Sequence, residues 1–222
     1  MKKTALLYGM LTAALVFSLA LEGCISIPDS PNPRFYTLSA TARGDSAEKA
    51  AIPPSVIIGT GPVKIPEYLN RPQIITRDKK KLLTFAEFDR WGEQLNLGIN
   101  RLIYENLSAL LPEATIEIFP WNLLIPVRYQ VVVDVVRIDS ELDKDLFFIA
   151  QWSIVDLKDK KMVFTKRAEL RQPILPHSYP GLIDALNSAV ASLSTDIAGE
   201  LVSLAKQGDK KKENPSGEEA GS

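Results

Sequence analysis

The 222-residue chain carries 26 Lys and Arg against 27 Asp and Glu, a formal net charge of −1, which leaves no basic footprint for nucleic acid. One His and one Cys nearly exclude soft-metal sites and Cys/His catalysis, and no cofactor or metal motif is present. A hydrophobic share of 45% with 24% charged residues is ordinary for a globular protein, and the length suits one domain with a real core.

The N-terminus reads as an export signal: basic Lys2 and Lys3, then an apolar stretch from Ala5 to Leu21 diluted by Gly9, Thr12 and Ser18. That stretch falls short of the about 20 apolar residues a membrane span requires. Two cleavage points compete. Leu21-Glu22-Gly23-Cys24 resembles the lipobox of bacterial lipoprotein signals, from which Glu22 departs, whereas a cut after Ser18-Leu19-Ala20 would leave a soluble protein with a free thiol. A lone cysteine in an exported protein has no intramolecular disulfide partner, and lipidation at Cys24 supplies a use for it. Acyl burial contributes about 0.8 kcal/mol per methylene, so two chains hold a protein stably where one holds it marginally. The expected layout is a signal peptide over 1–23, a Pro-rich tether over 24–33, one domain over 34–205 and a disordered charged tail over 206–222.

Within the domain, Arg34 to Leu38 alternates as a first strand, and Ser55 to Gly59 reads as a short buried one. The run Gly61-Pro62-Val63-Lys64-Ile65-Pro66-Glu67-Tyr68-Leu69-Asn70-Arg71-Pro72 should be neither helix nor central strand, because its prolines lack the donor both need. Gln73 to Thr76 and Lys81 to Phe85 form a hairpin. From Gln94 the period changes to helical: Leu95, Ile99, Leu102, Ile103, Leu107 and Leu110 make one apolar stripe, with Asn96, Asn100, Arg101, Glu105 and Ser108 outward. Strands follow at Thr115–Phe119, Arg128–Asp139, Leu146–Leu157 and Lys161–Gln172, the last three joined by short charged turns as an antiparallel meander. In the final strand Met162, Phe164, Ala168 and Leu170 are expected on one face. A second helix starts near Pro180 and carries Leu182, Leu186, Ala189, Val190, Leu193, Ile197 and Leu201. The fold class is α+β: a single domain with a mixed, mainly antiparallel sheet and two amphipathic helices packed on one face.

The segment Gly61 to Ile74, GPVKIPEYLNRPQI, resembles the signature of the PqiC-like family of ABC-type transport auxiliary lipoproteins. Arg34-Phe35-Tyr36-Thr37-Leu38 is similar to that family's aromatic first strand, and Phe88-Asp89-Arg90-Trp91-Gly92-Glu93 to the segment leading into its first helix. The resemblance spans roughly Cys24 to Leu201. It implies a non-catalytic envelope lipoprotein that works with an MCE (mammalian cell entry) domain periplasmic protein and inner-membrane transport components in moving lipid between membranes. A homo-oligomer stays open. In enteric-type sorting an Asp directly after the lipidated Cys retains a lipoprotein in the inner membrane; Ile25 follows here, so an outer-membrane anchor facing the periplasm is expected.

Candidate partner-binding residues are Pro62, Pro66, Tyr68, Arg71, Trp91 and Trp121. Proline lowers the entropy lost on ordering, and Tyr, Trp and Arg are favoured interface anchors. The bland alternatives are a rigid loop wrapping the sheet for Pro62 to Pro72 and a helix-capping Trp91. Phe119-Pro120-Trp121-Asn122-Leu123-Leu124-Ile125-Pro126 reads either as a buried crossover or as an apolar loop that touches lipid or a partner. His177 is expected to be a turn residue ahead of the second helix, and the carboxylates Asp139, Glu141, Asp143 and Asp145 a solvated hairpin tip. Two other functions remain in view: a periplasmic lipid carrier with an internal acyl cavity and, less favoured, an envelope hydrolase.

Overall fold

Alternation in the long strands and the 3.6-residue period of the helices produce two surfaces that can only be buried against each other. The computed structural model describes residues 31–41, 52–77 and 82–213, with side chains through Gln207, so the expected signal peptide, Cys24 with most of the expected tether, and residues 214–222 lie outside it. In chain order the described elements are β1 (Arg34–Tyr36), β2 (Ile57–Lys64), a 3-10 turn at Glu67–Leu69, β3 (Gln73–Arg77), β4 (Leu83–Trp91) and α1 (Leu95–Leu110). Then come β5 (Thr115–Ile118), β6 (Val127–Ser140), β7 (Asp145–Asp156), β8 (Lys161–Pro173) and α2 (Tyr179–Glu213). No described helix is long and apolar enough to cross a membrane.

Five strands form one sheet in the order β5-β2-β6-β7-β8, and β1-β4-β3 form a second, smaller one. One face of the large sheet presents Tyr129, Val131, Val133 and Val135 from β6 and Leu146, Phe148, Ala150, Trp152 and Ile154 from β7, all buried. Against them lie Ile99, Leu102, Ile103 and Leu107 of α1 and Leu186, Val190, Leu193 and Ile197 of α2, in one continuous cluster. The α+β class and the two helices on one face follow from this packing. The β6-β7-β8 meander is antiparallel as expected, and β3 pairs antiparallel with β4.

Several expectations give way. Pro62 lies inside β2, and β2 is a central strand between β5 and β6, parallel to both. The register shifts between Thr60 and Val63 and Gly61 sits at φ 102, so a bulge removes the proline from the ladder that would have needed its donor. Asn100 points inward and is 4% exposed, not outward, because its amide lies beneath Gly61 and donates to the Phe119 carbonyl at 3.5 Å. Shifts at Val135/Arg137 and Ile154/Val155 re-phase two strands, which buries Ile138 and puts Met162 opposite Val155, away from Phe164's face. The small sheet is held to β6 by Arg77, whose Nε donates to Asp139 at 2.8 Å. Finally, α2 runs past Ala205 to Glu213, where a disordered tail was expected. The Lys, Gln and Glu residues there are adequate helix formers and only have to propagate an existing helix.

Because β5 and β6 flank β2 in parallel, residues 119–126 must cross β2. They do so on the face away from the helices, where Trp121 lies over Gly59: a Cβ at Gly59 would sit 2.6 Å from the indole ring and 3.0 Å from Val127 Cγ1. Phe119 packs edge-on to Trp121 with ring centroids 5.5 Å apart, and its amide donates to Thr60 O at 2.9 Å. Gly59→Ala is therefore expected to lift Trp121 off the sheet and to cost about 1–3 kcal/mol. Trp91 and Trp152 are buried, so increased quencher access to tryptophan fluorescence would report Trp121; an unchanged quenching profile and midpoint of unfolding would refute the contact.

Candidate functional site

Of the six residues singled out from the sequence, the structure brings two together. Arg71 and Trp91 line a shallow half-open cleft of about 270 Å³, with Asn70, Pro72, Glu93 and Gln94 on its walls. Trp91 is only 9% exposed, with its amide donating to Pro72 O at 2.7 Å, so it closes the junction between β4 and α1. Arg71 is exposed and its guanidinium sits 5.0 Å over the Phe85 ring. Pro66 opens the 3-10 turn, Tyr68 is half-buried beneath Arg77 at 5.9 Å, and Pro62 forms part of the β2 bulge. Trp121 lies apart, on the crossover.

The crossover divides the residues of this segment between a packed set and an exposed one. Trp121 and Val127 pack on the sheet, whereas Leu123 and Leu124 are 96% and 88% exposed. They occupy the centre of a tight turn in which Ile125 N donates to Asn122 O and Leu124 N to Asn122 Oδ1, both at 2.9 Å. A short polar side chain that bonds its own backbone two residues on is what fixes such a turn. The sequence marked the segment as apolar; the pinning role of Asn122 and the seat provided by Gly59 were not read from it.

A second group, missed in the sequence, ties the start of the domain to the fold. Asp89 is 3% exposed and accepts two hydrogen bonds from Arg34, at Nε and at one terminal nitrogen, each 2.8 Å, and a third of 2.8 Å from the Tyr36 hydroxyl. Bidentate pairing of this kind is among the stronger polar contacts. Nearby, Arg101 donates to Glu93, Glu105 and the Leu38 carbonyl at 2.6, 2.7 and 2.9 Å. The two carboxylates, Glu93 first and then Glu105, hold its guanidinium even more firmly in the charged state than usual. Ser39 N donates to Asn187 Oδ1, at 3.1 Å, so the segment after β1 is fastened to both helices. An acid in an otherwise strand-like run, Phe88-Asp89-Arg90, was the available signal.

The two features lie at opposite ends of the large sheet. Tyr179, the first residue of α2, is close enough to Arg34 and Asp89 to feel their charges, and the same end holds the β6-β7 tip, where Ile174 N donates to Lys144 O at 2.9 Å. His177 is there too, its Nδ1 3.2 Å from the Leu142 carbonyl, in the turn position expected. The crossover joins Val127, at the start of the 14-residue β6, whose other end leads into the tip. The tip carboxylates are engaged: Asp139 with Arg77 and Arg137, Glu141 with Lys144, Asp145 with Arg171. Among the described residues no group of three or more His, Cys, Asp or Glu is placed to hold a metal ion.

The fold is a two-layer α+β domain whose first strand is pinned by a buried carboxylate. The chain belongs to the family of ABC-type transport auxiliary lipoprotein components, whose model matches residues 36–198. Membership implies a lipid-anchored location in the cell envelope and association with an ABC transport system. No curated protein matches the chain in sequence. Two solved structures share the fold: an uncharacterized protein, TM-score 0.63 at 16% identity over 77% of this chain and 99% of that one, and XCC0632 from Xanthomonas campestris. The latter has TM-score 0.63 at 12% identity over 80% of this chain and 99% of its own.

Burial, and then donation to Asp89, push the Tyr36 hydroxyl above the ordinary tyrosine value of roughly 10, and burial does the same to Tyr179. A raised folded-state value means the folded chain holds these protons more tightly. The stability they confer is complete below the unfolded value and is lost as pH rises through the folded one. Denaturant midpoints measured from pH 9 upward should therefore fall, and fall less steeply in Tyr36→Phe; equal slopes in the two proteins would contradict this.

Proposed function

We propose that this chain is a non-catalytic, outer-membrane lipoprotein of the cell envelope, anchored through Cys24, that docks a periplasm-spanning MCE-domain protein of a lipid transport system. Its mechanism is positioning. The acylated cysteine holds one end, the Pro-rich tether limits the reach, and the folded domain presents a surface to the partner. Arg71 and Trp91 supply one such surface at the cleft, Pro66 and Tyr68 belong to the segment that leads into it, and the crossover beside Trp121 supplies a second.

The observation that carries this reading is the pair of opposed ends: the chain enters the fold beside Asp89, and a rigid apolar turn projects at the far end. A filled core points the same way. Phe148, Trp152, Leu102, Leu107 and Leu186 occupy the space between sheet and helices, where an acyl-carrying protein would need room.

The test is affinity purification of the full chain from crosslinked envelopes. An MCE-domain protein and inner-membrane transport components should be recovered, and the chain should fractionate with outer membranes. Cys24→Ala should release it into the soluble fraction and abolish acyl incorporation. Recovery of no MCE-domain protein would reject the docking reading, and a membrane-bound, unacylated wild type would reject the anchor.

A further inference from the structure

We infer that the free edge of β8 is a self-association surface, on which β8 of a second copy of this chain pairs antiparallel about a two-fold axis at Ala168. The inference does not rest on the docking reading above.

β8 ends the order β5-β2-β6-β7-β8, so among the described elements it pairs on one side only. An edge strand presents a row of backbone donors and acceptors that another strand can complete. Short edge strands offer little of this, but β8 has 13 residues, Lys161–Pro173. Its register with β7 breaks once, at Val163, between the pairs Ile154–Phe164 and Val155–Met162. From Phe164 to Gln172 the pairing is unbroken, and Pro173 then lacks a donor. Ala168 is the midpoint of that regular stretch, and its small side chain, 6% exposed, leaves an axis there uncrowded.

Charge selects both the occupant and the register. On the face away from the helices Arg167 and Glu169 flank Ala168, opposite Gln151 and Ile149 of β7, and they pair with each other at 2.7 Å. A two-fold axis at Ala168 sets each Arg167 opposite the other copy's Glu169, so that opposite charges alternate around the axis. Moving the axis by one residue puts Arg167 or Glu169 opposite itself, and moving it to Lys166 does the same to that lysine. An axis at Leu170 overlaps only as far as Pro173 and draws on Arg171, which already donates twice to Asp145. Registers centred nearer Lys161 run across the irregularity at Val163. A foreign strand would have to bring this charge order over this length, whereas a second copy carries both.

The helix layer leaves room for the second copy. An axis normal to the sheet keeps both helix layers on one face and sets the two α2 helices side by side above the joined edges. Lys166 Nζ donates to Asp196 Oδ2 at 2.8 Å, so this flank of α2 lies beside β8 with its charge paired. One turn to either side of Asp196 are Ser192, whose hydroxyl donates back to the Ser188 carbonyl at 3.0 Å, and Gly199, where an added Cβ would meet nothing within 4 Å. Helices pack at about 8–10 Å, and short side chains on that flank permit the approach.

The experiment co-expresses two differently tagged copies of the full chain and measures recovery of one with the other from detergent-solubilised envelopes. Wild-type copies should recover each other. Arg167→Glu in both copies surrounds the axis with carboxylates alone, Glu169→Arg in both with guanidiniums alone, and either should lower recovery about tenfold or more. One copy with Arg167→Glu beside one with Glu169→Arg recreates the cross-strand ion pairs, and recovery should return to within about twofold of wild type. Arg167 and Glu169 are exposed, so each variant should keep the wild-type unfolding midpoint. Rescue by the mixed pair cannot come from a change within one chain, and copies that merely share a micelle would be recovered equally in every combination. Undiminished recovery of the single variants, a mixed pair that stays lost, or no recovery between wild-type copies would each overturn the inference.

Discussion

A strand flanked on both sides by parallel neighbours cannot be joined to either by a hairpin, and β2 is such a strand. Everything distinctive in the domain follows from the two crossovers this imposes. The route from β2 to β5 is long, and it carries the 3-10 turn, the hairpin of the small sheet and α1. The route from β5 to β6 is short and passes directly over β2, which is why Gly59 has no side chain to offer and Trp121 takes its place. The same strand accommodates Pro62 by a bulge, and the turn of backbone at Gly61 makes room for the buried amide of Asn100. Bulges of this kind bend and re-aim a strand, and here the bend brings the Phe119 carbonyl within reach of α1.

At the other end of the sheet the constraint is mechanical. Under the proposed anchoring, any load from the N-terminal side arrives at β1, a strand of three residues that hydrogen bonding to β4 alone would hold weakly. Asp89 strengthens that attachment by collecting Arg34 and Tyr36 on one buried carboxylate, and Arg101 fastens the next segment to the helix layer through Leu38. Exposed ion pairs stabilise little on their own. The value of this set lies in the burial of Asp89 and in the number of elements it joins, so that the first strand of the domain moves with the core.

Most of the large sheet and both helices were legible from periodicity, since apolar residues at intervals of two and of three or four leave few alternatives over stretches this long. The hairpin turns, the start of α2 at Tyr179 and the surface role of His177 followed from local chemistry. What could not be read was set by tertiary contact. Proline reads as a strand breaker unless a bulge removes it from the ladder; asparagine reads as outward unless a neighbouring strand bends toward it. Nothing local reveals that β2 pairs in parallel, nor that Gly59 is a seat for an indole. For the candidate site, the aromatic and proline residues were chosen for their interface chemistry, and only Arg71 and Trp91 share a cleft; the exposed leucines were visible as an apolar run, their exposure was not.

The most direct measurement of this polarity uses the lipidated full chain on a supported bilayer, with a fluorescent donor placed in turn at Glu141, on the β6-β7 tip, and at Leu123, and acceptor lipids in the membrane. An anchor at one end and a docking turn at the other predict strong transfer from position 141 and weak transfer from position 123. Equal transfer from both, or stronger transfer from position 123, would contradict it.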